Sequence, residues 1–150
     1  MQATYPGAVW WQGALFSIKA RRETTGGALG LVEASFWEGM ATPFHTHHRE
    51  DEAFYVLDGQ IRFRRGDDHF TAGPGDFVFG PRAVPHCFKV LDGGARALVL
   101  VTPAGFEHMF LEGGIPVSDP AAAPAREYDL EHVARLAHAY GMEVVGPPLE

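Results

Sequence analysis

Two histidines and three acids in one stretch of chain, with one further histidine, carry the chemistry of this sequence. His45 and His47 are separated by one residue, and three acids follow at Glu50, Asp51 and Glu52. In an extended chain, side chains two apart point to the same side at a spacing of roughly 6 to 7 Å, so the two imidazoles can address one ion while His48 points away. Glu50 and Glu52 share a face and Asp51 opposes it, which leaves two carboxylate candidates. A third imidazole, His86, follows Pro85 in a second strand-like run. Three neutral imidazoles and one carboxylate suit Fe(II), Mn(II), Co(II), Ni(II) or Zn(II) and leave a divalent ion with one net positive charge, so such a site still attracts a ligand. A single histidine is more often a hydrogen-bonded structural residue. A pair on one face, with a carboxylate near by and a third histidine in the same domain, favours a metal.

The elements that position these residues read as β-strands. Eighteen glycines and eleven prolines fall at short intervals between apolar runs, the punctuation of an all-β chain rather than of a helical bundle. The runs are rich in aromatic and β-branched residues, and they predict strands over Trp10–Ile18, Leu29–Phe36, Glu52–Leu57, Gln60–Arg64, His69–Ala72, Phe77–Phe79, Val84–Val90 and Arg96–Val101. Asp58-Gly59 and Gly93-Gly94 read as turns between them. Past Thr102 the texture changes. Residues 105–114 suit a short helix, 116–124 a Pro/Ala connector, and Asp129 an N-cap for an amphipathic helix near 130–140 that ends at Gly141. The division predicted is a β core over 1–104, holding the metal site, and an extension over 105–150 that packs on it or covers its mouth.

Composition narrows the function classes. With 150 residues, 46% of them hydrophobic, the chain suits one domain with one core. A net charge of −7 and no basic cluster argue against nucleic acid and anionic membranes as partners. No signal-peptide or membrane-span pattern is read at the N-terminus, and the single cysteine, Cys87, suits a reducing compartment, so the expected location is the cytoplasm. Trp10 and Trp11 adjoin, so strand alternation predicts one of them on the outside.

The metal-ligand pattern resembles the cupin superfamily. Its first motif is G, five residues, H-x-H, three or four residues, E, six residues, G; Gly39, His45, His47, Glu52 and Gly59 match it throughout. The second is G, five residues, P-x-G, two residues, H, three residues, N; Gly75, Pro81 and His86 match, while Ala83 stands for the glycine and Val90 for the asparagine. Further runs, including Asp51 to Leu57, Pro74 to Phe79 and Thr102 to Glu107, are similar to single-domain cupins grouped with quercetin 2,3-dioxygenases. The resemblance implies an all-β fold, a small antiparallel jelly-roll β-barrel with a short C-terminal helical extension. It also implies the ligand set His45, His47, Glu52 and His86, choosing Glu52 over Glu50, for one divalent transition metal (Fe, Ni, Mn, Co or Zn) per chain.

The function implied is a metal-dependent dioxygenase that uses O2 to cleave an aromatic or enol substrate, flavonol-like or dicarbonyl, with Glu52 as the catalytic base. An isomerase or lyase using the ion as a Lewis acid, and a non-enzymatic metal or small-molecule binder, are the alternatives. Alternation from Glu52 and His86 places Phe54, Val56, Val84 and Phe88 on the ligand side, and Phe36, Phe77 and Phe79 are candidate walls. Such walls favour a small apolar or aromatic substrate. Cys87 is expected to face away from the metal, and a homodimer is expected by family resemblance.

Overall fold

The computed structural model describes residues 7–150. Ten strands, β1 (Ala8–Trp11), β2 (Ala14–Ala20), β3 (Gly30–Phe36), β4 (Phe44–His47), β5 (Asp51–Arg65), β6 (Asp68–Ala72), β7 (Phe77–Gly80), β8 (His86–Thr102), β9 (Ile115–Pro116) and β10 (Met142–Gly146), belong to one sheet. Helices are short: α1 (Arg22–Thr25), α2 (Glu107–Gly113) and α3 (Leu130–Ala137), the last continued by a 3-10 turn over His138–Tyr140. The strands pair antiparallel throughout. The expected antiparallel β architecture is therefore present. Among the described residues, however, the hydrogen-bonded path runs from β10 to β9 without closing on itself.

Two long strands organise the sheet. The first half of β5 pairs with the second half of β8, from Asp51↔Thr102 to Gly59↔Ala95, and the second half of β5 pairs with the first half of β8, from Ile61↔Val90 to Arg65↔His86. The predicted breaks at Asp58-Gly59 and Gly93-Gly94 are bends inside continuous strands. Gly59, with φ +80°, sits where the register shifts, and Gly93 and Gly94 also have positive φ. A bulge of this kind bends a strand without ending it.

The segment from Trp10 to Ile18, expected as one strand, is a hairpin. Gln12 and Gly13 both have positive φ and join β1 to β2 where Trp11 faces Ala14, as a two-residue turn of the primed type requires. Glutamine at the first turn position hid it from a search for Asn-Gly or Asp-Gly. Both Trp10 and Trp11 are buried, against the expectation that one is exposed. Trp10 lines a cleft with Pro124, Ala125 and Glu127.

One hydrophobic cluster runs through the molecule, from Val9, Phe16, Val32 and Phe36 through Phe54, Phe63, Phe88 and Val99 to Phe106 at the N-cap of α2, Phe110 within it, Val133 and Ala137 of α3, and Met142 of β10. Residues after 104 thus share the core, and two of the strands come from them. Asp129 caps α3 by accepting from the His132 N–H at 3.0 Å, and Gly141 closes the turn in the left-handed conformation at φ 71°, as the sequence suggested.

Candidate metal centre

His45 and His47 project from β4, Glu52 from the start of β5 and His86 from the start of β8; all four are buried. β10 on one side and β8 on the other hold β4 in place, with Met142 opposite His47 and His86 opposite His45. The imidazole centroids lie 5.0 Å apart for His45 and His47, 4.6 Å for His45 and His86, and 5.4 Å for His47 and His86. Glu52 Oε1 stands 2.9 Å from His86 Nε2 and 3.5 Å from His47 Nε2. One donor atom from each of the four lies within 4.8 Å of every other.

The protonation pattern fits a ligand set. His45 Nδ1 is 2.7 Å from the Pro43 carbonyl, which can only accept, so Nδ1 carries the proton and Nε2 offers its lone pair to the site. Burial, reinforced by the neighbouring His86 and His47, holds the His45 pKa well below its ordinary value, which keeps that ring neutral. Burial acts against protonating His47 as well, but the Glu52 carboxylate more than offsets it and raises the His47 pKa. Burial alone would push Glu52 up, yet His47 and His86 together hold it well below the usual carboxylate range. Glu52 is therefore ionised, and its charge favours a proton on His47. Both nitrogens of His47 and Nδ1 of His86 are sealed from solvent without a hydrogen-bond partner. Buried imidazole nitrogens in that condition are costly unless something occupies the point they surround, and the donor set is that of a divalent transition ion. The residues fit a metal.

Glu50, the other carboxylate candidate, is buried but lies outside the converging group. His48 is exposed and pairs with Glu143 at 2.9 Å. Cys87 is buried on the opposite side of β8 from His86, beneath the C-terminal residues, with burial pushing its thiol pKa up.

The converging group opens onto a cavity of ≈ 50 Å³. Phe36, Phe54 and Phe88 line it, as expected. Phe77 and Phe79 do not. They pair with Tyr55 and Ala53, and they are 64% and 43% exposed, because Val78 between them takes the inward position opposite Phe54. Val56 is fully buried beyond the cavity, and Val84 precedes β8 in the turn after Pro81, outside the lining. Alternation from His86 therefore does not extend back to Val84. The reading from sequence missed Phe106 at the N-cap of α2, Met109 and Phe110 within that helix, Tyr128 just before α3 and Met142 of β10, all of which line the cavity. Phe106 meets the His47 ring edge-on at 4.4 Å. Burial raises the pKa of the Tyr128 phenol, so it stays protonated. No α3 side chain lines the cavity; the cover comes from α2, Tyr128 and β10.

The sequence pattern described as "Cupin domain" matches residues 32–108, a span that contains the whole ligand set and more than half of the chain. The chain belongs to the cupin family. Quercetin 2,3-dioxygenase of Bacillus subtilis (strain 168) is 26% identical to this cupin over 136 residues, which cover 89% of this chain and 40% of that protein. Dimethylsulfoniopropionate lyase DddQ of Ruegeria pomeroyi is 40% identical over 63 residues, covering 41% of this chain and 31% of that protein. The chain thus spans less than half the length of either relative. Among solved structures, that of KdgF from Halomonas sp. matches with a TM-score of 0.57 at 23% identity, over 63% of this chain and 83% of that one, a likeness of fold. No helix is long and apolar enough to cross a membrane among the described residues.

Proposed function

We propose that this cupin is a metal-dependent dioxygenase of the quercetin 2,3-dioxygenase type that acts on a compact enol or β-dicarbonyl substrate. The observation that carries the reading is the pairing of a three-histidine, one-glutamate cluster with an aromatic cavity whose sole carboxylate is Glu52. The similarity to the Bacillus subtilis enzyme over 89% of this chain supports it. His45, His47, Glu52 and His86 would hold a divalent ion, which would supply Lewis acidity at the site. The chain supplies the rest. Glu52, kept ionised by His47 and His86, takes the enol proton. The Tyr128 phenol, held protonated by burial, donates to a substrate oxygen. The rings of Phe36, Phe54, Phe88 and Phe106 exclude water and receive the apolar part of the substrate.

Cavity size decides between substrate sizes. Sites that bury drug-sized ligands have volumes of about 300 Å³ or more, whereas this one has ≈ 50 Å³. A two- or three-carbon enol or dicarbonyl fits as the cavity stands, and a three-ring flavonol needs the α2 and Tyr128 cover displaced.

A lyase reading is favoured by one observation, the 40% identity over 63 residues to the DddQ lyase. There Glu52 would abstract a carbon-bound proton without O2. Metal analysis of the purified protein followed by oxygen uptake separates the two. Uptake with a three-carbon β-dicarbonyl such as malondialdehyde exceeding that with quercetin is the expected result, and turnover without oxygen consumption would replace the dioxygenase reading with the lyase one.

The outer face of β7, β5 and β8 carries exposed Phe77, Phe79 and Tyr55 beside Leu98 and Leu100. A second copy of the chain docking there gives the homodimer we propose, since contiguous exposed aromatics of this kind mark association surfaces. A Phe77→Asp variant that is still dimeric by light scattering would rule that face out. The location we propose is the cytoplasm.

A further inference from the structure

The metal cavity and the cleft at Trp10 are separated by a wall of single chain thickness. Trp11 lines the cavity of ≈ 50 Å³, while Trp10, its neighbour in β1, lines the cleft of ≈ 320 Å³ on the other side. Tyr128 likewise lines the cavity, while Glu127 and Asp129 line the cleft. β1 is hydrogen-bonded along both edges, to β2 and to β9, and cannot give way. Residues 124–129 belong to no strand or helix, so this is the part of the wall that can move.

That segment is held at the tip of the β1–β2 hairpin. The Asp129 N–H donates to Gln12 Oε1 at 2.5 Å, and Gly13 lies so close that a Cβ there would come within 2.5 Å of the Ala125 carbonyl oxygen. Glutamine is an unusual residue for its place. Its φ is +51°, a left-handed conformation that asparagine or glycine adopts with less strain. Either of those would satisfy the turn, but neither would reach Asp129. Resting on the proposed dioxygenase reading, we infer that Gln12 is a specificity-determining residue: its side chain holds Tyr128 between cavity and cleft and so restricts the centre to compact substrates. The cleft is a second subsite, which receives the remainder of a larger substrate once the segment lifts. Its volume is that of sites that bury drug-sized ligands, about 300 Å³ or more. Trp10, Ile115 and Pro124 offer it apolar surface for an aromatic ring, while Glu127 and Asp129 disfavour an anionic one.

The test compares the full chain with Q12N and Q12L. Asparagine suits the turn but is one methylene too short, and leucine keeps the bulk but has no acceptor. Two quantities are read: the exchange rate of the Asp129 amide in the metal-free protein by NMR, and the affinity of the Zn(II)-loaded protein for quercetin by quenching of tryptophan fluorescence. Loss of one hydrogen bond should speed Asp129 exchange by roughly 3- to 10-fold in both variants, with the β2–β3 amides unchanged. Because only the open state admits a three-ring ligand, quercetin should bind tighter by the same factor. Unchanged exchange, faster exchange without tighter quercetin binding, or a gain in one variant only would overturn the inference. Neither quantity depends on turnover, so matched factors in a protein that takes up no oxygen would uphold the role of Gln12 and overturn the dioxygenase reading beneath it.

Discussion

His45 and His86 are cross-strand partners, the one residue pair at which β4 meets β8, with their rings 4.6 Å apart. Two of the four candidate ligands are therefore set by a single point of strand pairing rather than by loops, and the backbone that joins them also joins two parts of the sheet. Replacing His86 with Phe keeps a ring of similar volume and removes the donor. Metal occupancy should fall by at least about tenfold, with far-ultraviolet circular dichroism unchanged. Retained occupancy would show that His86 is no ligand.

Ala83 occupies the position where the second cupin motif has glycine, and its φ is +65°. Its N–H donates to the His47 carbonyl at 2.7 Å, so the turn holds its left-handed form against the preference of an L-residue and ties itself to the ligand strand. A left-handed non-glycine residue costs about 1–2 kcal/mol, offset in part by the greater unfolded-state freedom of glycine. Ala83→Gly should therefore stabilise the protein, by up to about 1 kcal/mol. A lower denaturation midpoint in the variant would refute this.

The candidate metal cluster was legible before the fold because a period of two and a fixed motif spacing are local. His45, His47, Glu52 and His86 needed no knowledge of which strand neighbours which. Phe54 and Phe88 followed from the same alternation, in steps of two from Glu52 and His86 within one strand. Facing is lost at each turn, so from sequence Phe77 and Phe79 are candidate walls of unfixed facing, and the structure turns both outward. The cavity cover was hidden for a stronger reason. Phe106, Tyr128 and Met142 are brought to the site by α2, the segment before α3 and β10, long-range placements that no local period encodes. Of these, only Phe106 had a local signal, as part of the Thr102–Glu107 run.

Glu107 is fully buried in α2 and accepts from the Arg22 N–H at 2.8 Å and the Gly105 N–H at 2.6 Å, one on each oxygen. Gly30 makes room for it: a Cβ there would collide with Glu107 Oε1 and come within 2.9 Å of Val101 Cγ2. The carboxylate thus ties α1 to the turn before α2, which carries Phe106 to the metal centre. Gly30→Ala should cost about 1–3 kcal/mol by overpacking, and Glu107→Ala about 2–3 kcal/mol through two lost charge-assisted bonds. Glu107→Gln should also destabilise, because an amide presents one acceptor to two donors. Thermal melting of the three variants checks the set, and a Gly30→Ala protein as stable as wild type would contradict the packing described.

Metal binding should release protons in a defined pattern. Ligation requires neutral imidazoles. His45 is already neutral at pH 7 because its pKa lies well below the ordinary value, whereas the raised pKa of His47 lets that ring hold its proton to higher pH than a free imidazole does. Apparent affinity should therefore climb as pH rises through the raised His47 pKa and level off above it, with His45 adding no proton release near neutrality. Titration calorimetry in buffers of different ionisation enthalpy reads the release directly. In Glu52→Gln the charge that holds the His47 proton is gone, and the release at pH 7 should shrink.

X-ray absorption on the metal-loaded protein tests the central claim most directly. One ion per chain, with a shell of three imidazole nitrogens at about 2.0–2.1 Å and carboxylate oxygen, and one imidazole fewer in His47→Ala, is the predicted result. A shell without imidazole scattering, or one containing sulfur from Cys87, would contradict the site built from His45, His47, Glu52 and His86.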